Sequence, residues 1–134
     1  MAPLNRAQDL KMITDKLKTK DREEVSLHPK EYRPWGFYET VHTGKNFKVK
    51  RITVNTGASL SLQRHHHRAE HWVVVKGTAN ATNGDQILTL HEGESTFIPK
   101  NVKHSLENLQ KDILEIIEIQ SGDYLGEDDI VRFE

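Results

Sequence analysis

The sequence predicts an all-β domain, a sandwich or small barrel, preceded by a short helical arm. Three observations predict it. From Trp35 onward, short segments rich in β-branched residues recur at regular spacing. Turn signals separate them at Asn55-Thr56-Gly57, Gly77, Asn83-Gly84, Gly93 and Pro99. Almost no stretch in this part of the chain carries a helical period.

The elements follow in order. In "LNRAQDLKMITDKLKTKDREEV", Leu10, Ile13 and Leu17 fall on one helical face. This predicts an amphipathic helix at about 7–19 within an arm over 1–31, either solvated or packed on a partner subunit. The barrel is expected over 32–134. "FKVKRITV" and "ASLSLQ" alternate as half-buried strands, whereas "HWVVVKG" is a continuous buried run. "QILTLHEG", "STFIP" and "ILEIIEIQSG" continue the pattern. "TNGD" at 82–85 predicts a hairpin with a type I′ turn, which takes positive φ at both central residues. The acidic "GEDDIVRFE" end is expected as a surface strand or turn, with no role for Arg132.

Composition narrows the function classes. A chain of 134 residues is most economically one domain, and it buries roughly two thirds of its unfolded surface. Lys and Arg number 19 against 20 Asp and Glu, so charge gives no argument for nucleic acid or an anionic membrane. No apolar run approaches the ~20 residues of a membrane span, and no signal-peptide core is expected. A cytoplasmic location follows by default. Cysteine is absent, which excludes disulfides and Cys–zinc sites. Histidine is the informative excess: five of the eight stand at 65, 66, 67, 71 and 104.

Two of those histidines, His65 and His104, belong to two spaced sets. In the first, five residues separate Gly57 from Gln63, one separates Gln63 from His65, four lead to Glu70, and six more to Gly77. The second runs through Gly93, Pro99, Asn101, His104 and Asn108. Strand alternation puts Gln63 and His65 on one face. Glu70 heads the next strand. His104 enters on another, after a turn set by Pro99 and by Asn101, a residue that tolerates left-handed φ. Two nitrogens and two oxygens converging inside a β-barrel suit one divalent ion: Zn, Mn, Co or Fe(II). A second ligand set is open, with His67 in place of Gln63. His66 points away from the site in both. His28, His42 and His91 are expected as ordinary surface residues.

The double motif resembles the cupin superfamily, whose usual form has His at the place of Gln63 and Gly at that of Asn101. "YRPWGFYE", "FKVKRITV", "LSLQRHHHRAEHWVVVKGTA", "STFIPKNVKHSLEN" and "LEIIEIQSGDYLGEDDIVRFE" are similar to the C-terminal domain of type II mannose-6-phosphate isomerases, over about residues 31–134. The resemblance implies a jelly-roll, double-stranded β-helix barrel. It implies a metal-dependent isomerase that interconverts mannose 6-phosphate and fructose 6-phosphate through an enediolate, in the supply of GDP-mannose. Members are usually fused to a guanylyltransferase. No Gly-rich phosphate loop opens this chain, so that activity is not expected here. Type I isomerases also use a Gln-x-His pair with a Glu and a distal His, which favours Gln63, His65, Glu70 and His104 as ligands.

Within this reading, Arg68 is the first choice for a cation on the phosphate or the enediolate, since its planar fork suits either; a rim ion pair is the plain alternative. His67, sharing a face with His65, is a candidate base. Lys50 is in phase with Ile52 and Val54. If those face inward, Lys50 is a second phosphate ligand; in the opposite phase it is solvated. Trp72 and Val74 are core, and Trp35 anchors a strand start. Exposed strand edges and the habit of cupins point to a homodimer. A non-catalytic cupin that binds a metal or sugar nucleotide is the rival reading. An iron dioxygenase is disfavoured by Gln63.

Overall fold

The computed structural model describes residues 28–133, so the helix expected at 7–19 lies outside the described residues. Eleven strands follow one another: β1 (Lys30–Arg33), β2 (Gly36–Thr43), β3 (Phe47–Val54), β4 (Ser59–Arg64), β5 (Arg68–Lys76), β6 (Ala79–Asn83), β7 (Gln86–Leu90), β8 (Ser95–Ile98), β9 (His104–Glu107), β10 (Leu114–Gly122) and β11 (Val131–Arg132). They form a six-stranded sheet in the order β1-β2-β3-β10-β5-β8 and a five-stranded sheet in the order β11-β4-β9-β6-β7. All the pairings are antiparallel. The all-β expectation therefore holds, and no helix among the described residues is long and apolar enough to cross a membrane.

The two sheets close on a core of Ile52, Val54, Trp72, Val74, Ala79, Ala81, Leu90, Ile98, Leu106, Leu114 and Ile116. Those on β3, β5, β6 and β10 sit at alternate positions, as the period-2 patterning requires, and β7, β8 and β9 add Leu90, Ile98 and Leu106. Each fully buried Ile or Leu side chain stabilises the fold by roughly 1.5–3 kcal/mol. Lys50 shares the phase of Ile52 and Val54 and is itself 4% exposed, so the inward alternative is the one realised.

Connections fix which side chains reach the interior. The β6–β7 hairpin forms where "TNGD" predicts it, with Asn83 paired to Gln86. Its turn differs from the expected type I′. Gly84 has φ 61, while Asp85 is not among the positive-φ residues, the pattern of a type II′ turn. Asn101 adopts φ 66, the left-handed conformation anticipated for it. Its backbone N–H donates to the His65 carbonyl at 2.8 Å, which ties the approach to β9 to the end of β4. Asn108 is fully buried, and its amide nitrogen donates to the carbonyls of Val54, Asn55 and Asp112. It staples three segments together at the end of the barrel away from the histidines.

Candidate metal centre

Both sheets deliver side chains to one end of the barrel. β4 carries Gln63 and continues into His65; β9 begins at His104. β5 supplies Arg68, Glu70 and Trp72, β3 supplies Lys50, and β10 supplies Glu118. These residues line a cavity of about 170 Å³, joined at its mouth by Arg33, Glu127 and Arg132.

His65, Glu70 and His104 form its floor, with one ligand atom from each lying within 4.8 Å of the others. All three are 2–3% exposed. His65 Nε2 lies 3.2 Å from Glu70 Oε2, and His104 Nε2 lies 3.5 Å from Glu70 Oε1. The opposite ring nitrogens are both committed to backbone. His65 Nδ1 is 2.5 Å from the Asp129 carbonyl, and His104 Nδ1 is 3.0 Å from that of Val102. A carbonyl can only accept, so each Nδ1 carries the proton and each Nε2 presents a lone pair toward Glu70. Two imidazole lone pairs and a carboxylate are a donor set for a first-row divalent ion, so the residues present fit the metal that the spacing implies.

The electrostatics agree with that assignment. Burial works to raise the Glu70 pKa, but its contacts with His65 and His104 and the neighbouring Arg68 guanidinium outweigh it and hold the carboxyl well below the usual carboxylate range. Burial pushes His104 below its ordinary value, which favours the neutral, ligating form. Trp72 Nε1 donates to Glu70 Oε1 at 3.2 Å and so fixes the carboxylate from behind. Trp72 is thus a core residue, as expected, and also an orienting donor.

Arg68 lies inside the cavity rather than at a rim. Its Nε donates to Glu70 Oε2 at 3.0 Å and its Nη2 to His65 Nε2 at 3.1 Å. Its Nη1 is buried with no hydrogen-bond partner. Lys50 Nζ makes an ion pair of 2.5 Å with Glu127 Oε1 and lies 4.2 Å from the centre of the Tyr38 ring. Gln63 lines the same cavity and is paired in register with His104, its amide nitrogen donating to the Ser61 carbonyl at 3.2 Å.

His67 is not brought to this cavity. Its side chain is 55% exposed, packs edge-on to Tyr124, and has its Nδ1 4.0 Å from Asp123. The face it was expected to share with His65 does not exist, because β4 ends at Arg64 and residues 65–67 form a bend in which strand alternation no longer applies. Asp129 holds that bend: its two carboxylate oxygens accept the backbone N–H groups of His66 and His67, both at 2.9 Å. Burial works to raise the Asp129 pKa, and those two N–H groups outweigh it. Gly122 permits the same bend. A Cβ there would stand 2.1 Å from the His67 carbonyl oxygen. His66 points outward, as expected, with Nδ1 2.8 Å from Asn101 Oδ1.

Sequence reasoning missed Glu118, Gln120, Glu127, Asp129, Arg33 and Arg132. Glu118 is 6% exposed, and its carboxylate accepts from Trp72 Nε1 at 3.0 Å and from Gln120 Nε2 at 2.7 Å. Burial, with the neighbouring Glu70 charge, pushes its pKa up to about 7. Glu118 and Gln120 are in phase with Leu114 and Ile116, but apolar residues occupy both phases of β10, so its pattern marks no inward face. No local signal marks the 127–132 segment.

Comparisons with known proteins place this geometry in a family. Residues 20–134 match the family described as mannose-6-phosphate isomerase C-terminal. The chain is 57% identical over 130 residues to the xanthan biosynthesis protein XanB of Xanthomonas campestris pv. campestris, covering 97% of this chain and 28% of that one. It is 54% identical to a mannose-1-phosphate guanylyltransferase of Salmonella muenchen (95% and 27% covered) and 53% identical to the alginate biosynthesis protein AlgA of Pseudomonas aeruginosa (100% and 28%). It therefore spans little more than a quarter of the length of these relatives. Among solved structures, oxalate decarboxylase from Bacillus subtilis superposes with a TM-score of 0.72 at 19% identity, over 81% of this chain and 30% of that one. A double-stranded β-helix protein from Klebsiella pneumoniae superposes with a TM-score of 0.67 at 15% identity, over 78% and 89%. Those two likenesses establish the cupin fold, and the family match together with the XanB and AlgA identities shows that the chain belongs to the mannose-6-phosphate isomerase C-terminal family.

Proposed function

We propose that this domain interconverts mannose 6-phosphate and fructose 6-phosphate, with a divalent ion held by Gln63, His65, Glu70 and His104. One observation carries the reading: the His–Glu–His cluster shares a single cavity with the two buried cations Lys50 and Arg68. Each cation faces a carboxylate, Lys50 the half-exposed Glu127 and Arg68 the ligand Glu70, and Arg68 Nη1 is left as a buried donor without a partner, which an oxygen of a phosphorylated sugar would satisfy.

A divalent ion held at the cluster would polarise the sugar carbonyl as a Lewis acid. The remaining work falls to the chain. Lys50 receives the phosphate, assisted by Arg33 and Arg132 at the mouth. Arg68 offers its unpartnered Nη1 to a sugar or phosphate oxygen. His65, Glu70, Arg68 and Lys50 are themselves 2–7% exposed, so these charges act at a lower dielectric than in water.

The test is a coupled assay for fructose 6-phosphate from mannose 6-phosphate, with Mn, Co, Zn or Fe(II) added, run on the wild type and on His104→Ala. Turnover is expected with at least one metal. His104→Ala is expected to lose both bound metal and turnover while keeping a cooperative melt. A wild type that binds metal and turns over with none of them would leave a non-catalytic metal-binding cupin and end the isomerase reading.

A further inference from the structure

We propose that Glu118 is the base that carries the proton between C2 and C1 of the bound sugar phosphate. The proposal rests on the isomerase reading and names a residue for its central step.

Elimination among the cavity groups points there first. The lone pairs of His65, Glu70 and His104 are those the metal requires. Glu127 is engaged by Lys50 at 2.5 Å and approached by Lys48 at 3.7 Å. His67 lies outside the cavity. Glu118 is the lining carboxylate that neither holds the ion nor pairs with the phosphate-binding lysine.

Its placement is also built. Glu118 lies on β10 in register with Lys50 of β3 on one side and Trp72 of β5 on the other. The indole N–H of Trp72 reaches both Glu118 Oε2 at 3.0 Å and Glu70 Oε1 at 3.2 Å. One rigid ring therefore sets the spacing between the acid and the metal ligand. Lys50 on its other flank fixes where the phosphate end of the substrate lies.

Gln120 gives the strongest sign of a proton carrier. It is fully buried; its Nε2 donates to Glu118 Oε1, and its Oε1 has no hydrogen-bond partner. A purely structural carboxylate asks its neighbours for donors alone. Here a half-turn of the amide presents Gln120 Oε1 to the O–H of a protonated Glu118 and leaves the N–H group as the alternative for the carboxylate. The neighbour can satisfy both states of the acid without moving its backbone.

The step balances on these groups. The Glu118 carboxylate takes the proton from C2 of the open-chain aldose. The C2–H electron pair becomes the C1=C2 bond, and the carbonyl π pair moves to O1, giving the enediolate. The O2 proton passes to O1, the C2=O bond forms, and the C1=C2 pair takes the proton back from Glu118 at C1. Nothing is oxidised overall, and Glu118 ends as it began.

The experiment compares wild type, Glu118→Gln and Glu118→Asp, each loaded with the metal that supports turnover. Measured quantities are kcat, KM, metal content, thermal midpoint, and loss of deuterium from C2 of labelled mannose 6-phosphate. Glu118→Gln is expected to lower kcat and the deuterium loss together by roughly 10²–10⁴-fold. KM should stay within about threefold and metal content unchanged, since general acid–base action is felt in the transition state. Should Glu118→Gln fail to fold, Glu118→Asp carries the test, with an expected drop of at least tenfold. A folded, metal-loaded Glu118→Gln that keeps kcat within tenfold overturns the base assignment and leaves the isomerase reading standing. A kcat that falls only in proportion to lost metal makes Glu118 structural and overturns it too. A wild type inactive with every metal defeats the isomerase reading, and the base assignment with it.

Discussion

The inner face of the six-stranded sheet has two ends made from the same three strands. At one end, β3, β10 and β5 contribute the rung Ile52–Ile116–Val74, exposed by 4%, 0% and 1%. Two residues along each strand, the next inward rung is Lys50–Glu118–Trp72, and the one after it is Lys48–Gln120–Glu70. Backbone geometry, register and depth carry over from one rung to the next; the chemistry does not. The apolar end gains free energy from each group it removes from water. At the polar end, Lys50, Glu118, Gln120 and Glu70 are just as buried, so that end spends stability to hold charges in place. The lesson is a division of labour: the Ile116 end folds the barrel so that the Glu118 end can be unfavourable.

The largest expected effect breaks that comparison at its apolar end. Ile116→Ala should cost about 2–5 kcal/mol, from lost transfer energy and the cavity left behind. Ile116 lies two positions from Glu118 on the same strand, yet it does not line the cavity. Urea unfolding should show the loss, while kcat per folded molecule stays near that of wild type. Unchanged stability with lost turnover would mean that the two ends are not separable.

That division explains what was legible in the sequence. Period-2 alternation and turn residues disclose strands because sterics and burial act locally, so β3, β5 and the β6–β7 hairpin could be read directly. Glu70 and His104 were legible for the same reason, each standing at or near a strand start that a turn announces, whereas His65 lies just past the end of β4. His67 was misplaced because alternation was carried past Arg64 into a bend held by Asp129, a residue more than sixty positions away in the chain. Glu118 escaped notice because β10 carries apolar residues in both phases: Ile116 inward, Ile117 and Ile119 outward. Polar residues in such a strand announce no face. Arg33, Glu127 and Arg132 reach the cavity mouth through tertiary contacts that no local pattern records.

A second, pH-dependent effect sharpens the comparison within the polar end itself. In the metal-free protein Glu118 is raised from 4.5 to about 7 by burial and by Glu70. Between those values the folded protein holds a proton that the unfolded chain has released, so rising pH favours unfolding. The loss is on the order of 3 kcal/mol once pH passes 7. Glu70 has the opposite sign. Its pKa is lowered below 4.5, so its contribution is present above that pH and disappears as acid is added. Metal-free wild type should therefore be more stable at pH 5 than at pH 8 by this pair's account, and Glu118→Gln should flatten the alkaline slope while leaving the acid one. Urea unfolding at several pH values reads both. An identical slope in Glu118→Gln would show that another group sets it.

The smallest effect lies at the mouth of the cavity, where burial gives way to solvent. Lys50 is nearly buried, while its partner Glu127 is 54% exposed, so the pair spans the boundary between protein and water. Burial works to raise the Glu127 pKa, but the Lys50 hydrogen bond and charge outweigh it, so the carboxylate is ionised at neutral pH. Its negative charge stands on the lysine that the proposed phosphate would use. Solvent screening limits such a pair to about 0.2–1 kcal/mol. Glu127→Gln should therefore change the thermal midpoint little and tighten inorganic phosphate binding by no more than about fivefold, since 1.4 kcal/mol corresponds to tenfold. Isothermal titration with phosphate, compared with Lys50→Met as the negative control, measures it. Weaker binding in Glu127→Gln would mean that the carboxylate positions Lys50 for the anion rather than competing with it, and the boundary pair would then belong with the polar rungs behind it.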